Sequence, residues 1–196
     1  MSESTVLYEE RGAVALVTLN RPQALNSLNH EMHSTLWAQL DKAEANKAIR
    51  AMVITGAGRG FCAGADLSEF DFSDGPDRIQ RADPGPVIQR SFNPTTRRLQ
   101  ALRMPVIAAV NGVAAGAGAS LAMACDIAIA APGASFIQAF SKIGLIPDAG
   151  GSWLLVERLG LARAMTLAMT GDKLSAAQAK EWGMIWDVAD DCVAAS

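Results

Sequence analysis

Apolar positions come in short runs at the start of the chain and then shift to a longer period. Residues 6–10 and 14–19 are strand-like runs separated by Arg11-Gly12, a spacing that predicts a β-hairpin. Met32, Leu36, Leu40 and Ala43 recur at helical spacing, and Asn29 stands where it can cap a helix over residues 30–45. Residues 51–55 predict a buried strand. A helix is expected over residues 87–102, bent or interrupted at Pro94. Strands at 106–110 and 126–130 are expected around a helix that begins in a glycine-rich segment. Another helix opens near Asp148 and stops before Gly160. Ser175-Ala176-Ala177-Gln178 reads as a capping box, so a helix runs from there to about Trp182. Residues 71–86, rich in Asp, Gly and Pro, read as a mobile loop. Strands alternating with helices, without a long repeat, predict an α/β fold of stacked β-α units.

Composition narrows the function. The 196 residues fit one domain with a sizeable core, half of them being hydrophobic and 19% charged. Net charge is −3 with no lysine–arginine block, so neither nucleic acid nor an anionic membrane is an expected partner. Arg97, Arg98 and Arg103 read as a solvated helix face. Neither a secretory start nor eighteen consecutive apolar residues is present, and a soluble, cytoplasmic protein is expected. Three cysteines without paired spacing argue against disulfides and zinc, and Cys62 reads as a small buried hydrophobe. His30 and His33, three apart on the early helix and lacking a third ligand, read as solvated, so no metal site is expected. Gly112, Gly116 and Gly118 imitate a dinucleotide loop but lack its context, as do Gly56 and Gly58.

Two segments of small residues carry the chemistry. Phe61-Cys62-Ala63-Gly64-Ala65-Asp66-Leu67 follows one apolar run, and Asn111-Gly112-Val113-Ala114-Ala115-Gly116-Ala117-Gly118-Ala119-Ser120 follows another. Small residues let a ligand approach the backbone, and two N–H groups aimed at one carbonyl oxygen would form an oxyanion hole. Tight packing at two turns is the plainer alternative. Asp148, after proline and before small residues, suits a helix N-cap.

Both segments, in this order, resemble the oxyanion loops of the crotonase superfamily, the enoyl-CoA hydratases and isomerases. The resemblance extends to Leu19-Asn20-Arg21-Pro22 with Leu25-Asn26-Ser27, to Thr55-Gly56-Ala57-Gly58-Arg59-Gly60-Phe61, and to Ile143-Gly144-Leu145-Ile146-Pro147-Asp148-Ala149-Gly150-Gly151. Ser91-Phe92-Asn93-Pro94 and Glu181-Trp182-Gly183-Met184-Ile185-Trp186 look most like the ring 1,2-epoxyphenylacetyl-CoA isomerases within it. The resemblance implies a spiral of ββα units forming two near-perpendicular sheets wrapped by helices. It also implies an acyl-CoA substrate whose thioester oxygen meets the N–H groups of Ala65 and Ala117, beside Gly116. Coenzyme A would lie along Gln23, Ala24, Leu25 and Ala63, with Asp66 and Leu67 by the pantetheine.

The two glutamates of hydratases correspond to Ser120 and Phe140, so hydration is not expected and Phe140 becomes a pocket wall. Asp148 matches the acid/base carboxylate of isomerases, in a dry pocket walled by Phe140, Leu145 and Ile146. The implied activity is proton transfer through an enolate, turning ring 1,2-epoxyphenylacetyl-CoA into the oxepin in phenylacetate degradation, without cofactor or metal. A 3-enoyl to 2-enoyl shift, as in fatty acid metabolism, and a non-catalytic acyl-CoA-binding scaffold are the alternatives. Dehalogenation is set aside because no histidine is placed to activate water. Residues 1–196 read as the crotonase core without the family's C-terminal helices, which would bring a homotrimer or dimer of trimers.

Overall fold

Val6–Arg11 (β1) and Val14–Leu19 (β2) pair antiparallel across the tight turn at Gly12, as the hairpin spacing requires. From β2 the sheet grows by parallel pairing through Ala51–Gly56 (β3), Val106–Val110 (β5), Ile127–Ala130 (β7) and Asp187–Val188 (β10), in the order β1-β2-β3-β5-β7-β10. A second sheet has the order β4-β6-β8-β9, built from Gly60–Cys62, Val113–Ala115, Ser135–Ile137 and Lys173–Ser175. The computed structural model describes residues 4–71, 73, 75, 77 and 83–196.

Strands β3, β5 and β7 of the first sheet are each followed within four residues by β4, β6 and β8 of the second. A helical segment comes next, so the repeating unit is ββα and the expected two-sheet fold is the one observed. Close backbone approach makes the corners possible. A Cβ on Gly56 would run into the carbonyls of Gly60 and Phe61, and one on Gly112 into the carbonyl of Arg59.

Helix α1, His30–Ala45, buries Met32, Leu36, Leu40 and Ala43, and Asn29 caps it by accepting from the Met32 N–H at 2.9 Å. Helix α2 is Asn93–Ala101, α3 is Ala117–Ala124, α4 is Gly151–Leu159 and α5 is Leu161–Thr170. Helix α6, Ala176–Glu181, starts at Ser175 with the expected capping box. The principal core lies between the sheets and these helices. A smaller cluster of Leu16, Val53, Ile107, Ala109 and Ile129 is packed by Cys192. All three cysteines are buried and free.

Three expectations change. The helix expected over 87–102 is preceded by a turn at Gly85–Val87 and passes through a π-helical stretch, Ile88–Phe92, before Pro94. Pro94 has no N–H to donate, and the Asn93 N–H reaches five residues back to Ile88. The stretch 71–86, expected as a mobile loop, falls partly outside the described residues; within it, Gly85 opens that turn. Arg103 is no solvated cation: its guanidinium gathers the carbonyls of Asn46 and Ile49 at 2.8 and 3.1 Å, beyond the C-terminus of α1.

His33 is the third, being 1% exposed rather than solvated. Thr95 Oγ1 donates to Ser91 O (2.9 Å) and accepts from Trp37 Nε1 (2.7 Å). Its one proton is therefore used, so His33 Nδ1, 2.8 Å away, must be the donor. That leaves Nε2 buried without a partner among the described residues. Burial, helped by the charge of His30, pushes the His33 pKa down to about 4. Its folded-state value lies below the unfolded one, so the unfolded chain takes up a proton first as pH falls. Wild-type stability measured by urea unfolding should therefore drop, relative to His33→Gln, by up to about 3 kcal/mol between pH 6.5 and pH 4. A constant difference over that range would contradict the buried neutral imidazole.

Candidate functional site

A clamp built by Asn26 and Arg21 sets the first small-residue segment. Leu25 and Asn26 both have left-handed backbones (φ 49° and 57°). The Asn26 side chain accepts from the Arg21 N–H at 2.8 Å and donates to the carbonyls of Ala57 and Gly60 at 2.9 and 2.8 Å. Against this turn the chain after β4 is zipped by Ala63 N–H to Leu25 O, Leu28 N–H to Gly64 O and Asp66 N–H to Leu28 O. The Ala65 N–H is passed over and meets no acceptor among the described residues.

The second segment leaves β6 through Gly116, whose φ of 51° and ψ of −125° suit glycine, and turns into α3 at Ala117. Gly116 N–H is held by Ile137 O at 2.8 Å, while the Ala117 N–H opens the helix with no acceptor among the described residues. Glycines bring the two segments together. A Cβ on Gly64 would stand 3.2 Å from the Ala117 nitrogen, and one on Gly118 would collide with the Cys62 carbonyl. Cys62 itself, buried with its pKa pushed up to about 12 by burial, is an inert thiol.

Asp148 enters from the third ββα unit. The helical turn Ala139–Ile143 carries Phe140, and Asp148 lies two residues before Gly150, the N-cap of α4. Asp148 is thus not the cap; that helix start has no side-chain capping bond. Its turn is held in a demanding shape, with Ala149 left-handed at φ 51° and the Ala149 carbonyl anchored by Thr96 Oγ1 at 3.0 Å. Asp148 Oδ1 is buried with no partner among the described residues. Burial raises its pKa from 3.8 to about 6, against a small opposing effect of its own N–H.

Ala63, Ala65, Leu67, Gly116, Ala117, Phe140 and Asp148 all line one cavity of about 770 Å³. Leu145 lines it too, but Ile146 is 78% exposed and is no part of the wall; Ile143 takes that place. Gln23, Ala24, Leu25 and Asp66 lie outside the lining. The Asp66 carboxylate is engaged instead, by Arg21 at 2.8 Å and Ser68 Oγ at 2.7 Å. Burial alone would raise its pKa; these bonds outweigh burial and lower it.

Sequence reasoning missed Phe70, Asp83, Ile88, Phe92 and Lys142, which also line it. The four-residue spacing of Ile88 and Phe92 was the available signal. Ser120 is fully buried on α3 and does not reach the cavity surface. Among the described residues no cluster of His, Cys, Asp and Glu could hold a metal, and no helix is long and apolar enough to cross a membrane.

Residues 9–194 match the family model described as enoyl-CoA hydratase/isomerase. The chain is 54% identical over 192 residues to the 1,2-epoxyphenylacetyl-CoA isomerase of Escherichia coli (strain K12), covering 97% of this chain and 71% of that protein. It is 42% identical over 191 residues to a probable enoyl-CoA hydratase of Rhodobacter capsulatus, with the same coverages. The crystal structure of an enoyl-CoA hydratase from Thermoplasma volcanium superposes with a TM-score of 0.87 at 36% identity, covering 98% of this chain and 75% of that one.

The raised pKa of Asp148 has a stability consequence of definite sign. The unfolded carboxyl ionises near its ordinary value and the folded one only near 6, so ionisation destabilises the fold as pH rises through that window. Asp148→Asn should gain on the order of 2 kcal/mol over wild type at pH 7, the gain vanishing near pH 3.5. Paired urea titrations at the two pH values measure it, and an equal difference at both would refute the buried, unpartnered carboxylate.

Proposed function

Because the chain belongs to the enoyl-CoA hydratase/isomerase family, we propose that it isomerises a CoA thioester by moving one proton through a stabilised enolate. The thioester oxygen accepts from the N–H groups of Ala65 and Ala117. Helix α3, starting at Ala117, adds partial positive charge there. Each such donor is worth ~3 kcal/mol as negative charge builds on the oxygen. With the enolate held, the Asp148 carboxylate takes a proton from carbon on one side of the conjugated system and returns it on the other. A pKa of about 6 leaves it mostly ionised at neutral pH, yet basic enough to accept that proton.

The observation that carries this reading is a half-buried carboxylate, Asp148, with its pKa raised by burial, on a cavity wall that also holds two backbone donors without acceptors among the described residues. Hydration needs a second group to handle water. The corresponding positions hold Ser120, buried away from the cavity, and Phe140, an apolar wall. Both favour isomerisation. The substrate we propose is ring 1,2-epoxyphenylacetyl-CoA, converted to the oxepin, which is supported by the 54% identity to the Escherichia coli isomerase and by the aromatic wall of Phe70, Phe92 and Phe140. The 3-enoyl to 2-enoyl shift uses the same parts. No redox cofactor or metal is required by this chemistry.

In deuterated water, the purified protein given a 3-enoyl-CoA or the ring epoxide should rearrange it with deuterium uptake, read by NMR and mass shift. Asp148→Asn should lower the rate at least a hundredfold, as expected for loss of the acid/base group. Binding of thioester with no exchange by the wild type would instead support a non-catalytic scaffold.

A further inference from the structure

Several helical hydroxyls in this chain bond back to their own helix. Ser34, Thr35, Thr95 and Thr166 each donate to the carbonyl four residues back. Ser120, on α3, does not. It is 0% exposed, and its Oγ has no partner among the described residues. The local acceptor it would normally use, Gly116 O, already receives the N–H groups of both Ala119 (3.0 Å) and Ser120 (3.1 Å). A buried hydroxyl is costly to leave unbonded, so its intended partner should lie elsewhere.

The neighbouring turn identifies that partner. A Cβ on Gly151 would stand 2.5 Å from Ser120 Oγ and 3.2 Å from Pro147 Cβ, so the hydroxyl lies beside Gly151, at the end of the turn that starts at Pro147. Asp148 sits within that turn, which is closed by Gly151 N–H to Asp148 O at 2.7 Å. Its Oδ1 is the other orphan: buried, an acceptor and unpartnered. One buried donor and one buried acceptor are thus stranded at the same turn. The remaining ionisable groups on the cavity wall are Asp83 and Lys142.

We propose that Ser120 is a positioning residue for Asp148, its hydroxyl rotating to donate to Oδ1 while the carboxylate is charged and letting go once Asp148 is protonated. The serine keeps its own proton throughout; the proton that moves is the substrate's, onto Asp148 and off again. An O–H to carboxylate bond is strong only while the acceptor is ionised, so the contact follows the charge. Ser120 also lies three residues after Ala117 on one helix, so the element that presents an oxyanion donor would also steady the base. The inference rests on the reading of Asp148 as the proton carrier.

Two measurements separate this role from mere packing. In Ser120→Ala, the apparent pKa of Asp148, read by carboxyl ¹³C NMR, should rise by about one unit, a tenfold shift in its ionisation. The acid limb of the kcat/KM profile should move with it, with KM little changed. Ser120→Cys, close in size but a weak donor, should fall between wild type and alanine and keeps the test available if the alanine variant unfolds. An unmoved Asp148 titration in both variants would overturn the proposal. A wild type inert on thioesters would overturn the functional reading alone, because the NMR shift needs no turnover.

Discussion

Strand β4 is gripped on its backbone, and the site depends on that grip. Its three residues and the preceding Arg59 are met by Gly56, Gly112 and Gly118, at each of which a side chain would collide with a carbonyl of this stretch. No side chains intervene, so the end of β4 and the start of α3 meet at the distance of two peptide groups. Large-residue packing could not reproduce that spacing, because it would leave several ångströms of side chain between the donors. The paired N–H groups are therefore a product of absence. Close-packed interiors transmit even small displacements, so every element that seats these glycines also sets the site.

Two aspartates near this cavity illustrate how surroundings divide one chemistry. Asp66 is met by Arg21 and Ser68, which hold it charged and tie the loop after β4 to the turn at residues 21–27. Asp148 Oδ1 meets no partner among the described residues, and burial makes the carboxylate's charge uncomfortable. The first is a structural strut and the second, in the function proposed above, the acid–base group, a separation of environments that acid–base sites commonly use. Its turn is correspondingly strained, with a left-handed alanine and an anchoring threonine from α2. Such strain is tolerated where function gains from it.

Long, periodic elements were legible in the sequence, and short ones were not. The hairpin, α1, β3, β5 and the capping box of α6 declare themselves through local patterns of apolar residues and caps. Strands β4, β6 and β8 are three residues each, made partly of glycine, alanine and serine, with no period to read. Tertiary glycine contacts define them. His33 stands in register with Leu36, Leu40 and Ala43, so its burial was readable, but its polarity concealed it. What satisfies it, Thr95, lies 62 residues away. Asp66 and Asp148 looked alike in sequence, each beside small residues. Only their distant partners, Arg21 for one and none for the other, tell them apart.

The π-helical stretch at Ile88–Phe92 has a consequence for how such a pocket can diversify. A π turn holds one residue more than an α turn, and each residue in a helix rotates direction by roughly 100°. Phe92 is fixed on one side by its edge-on contact with His33, with ring centres 4.5 Å apart. Losing a single residue from the turn would leave Phe92 in place while swinging everything before it around the axis, so that a different side chain replaced Ile88 on the cavity wall. The shape of this pocket can thus be rewritten by a one-residue deletion on a helix that carries neither the proposed base nor the proposed oxyanion donors.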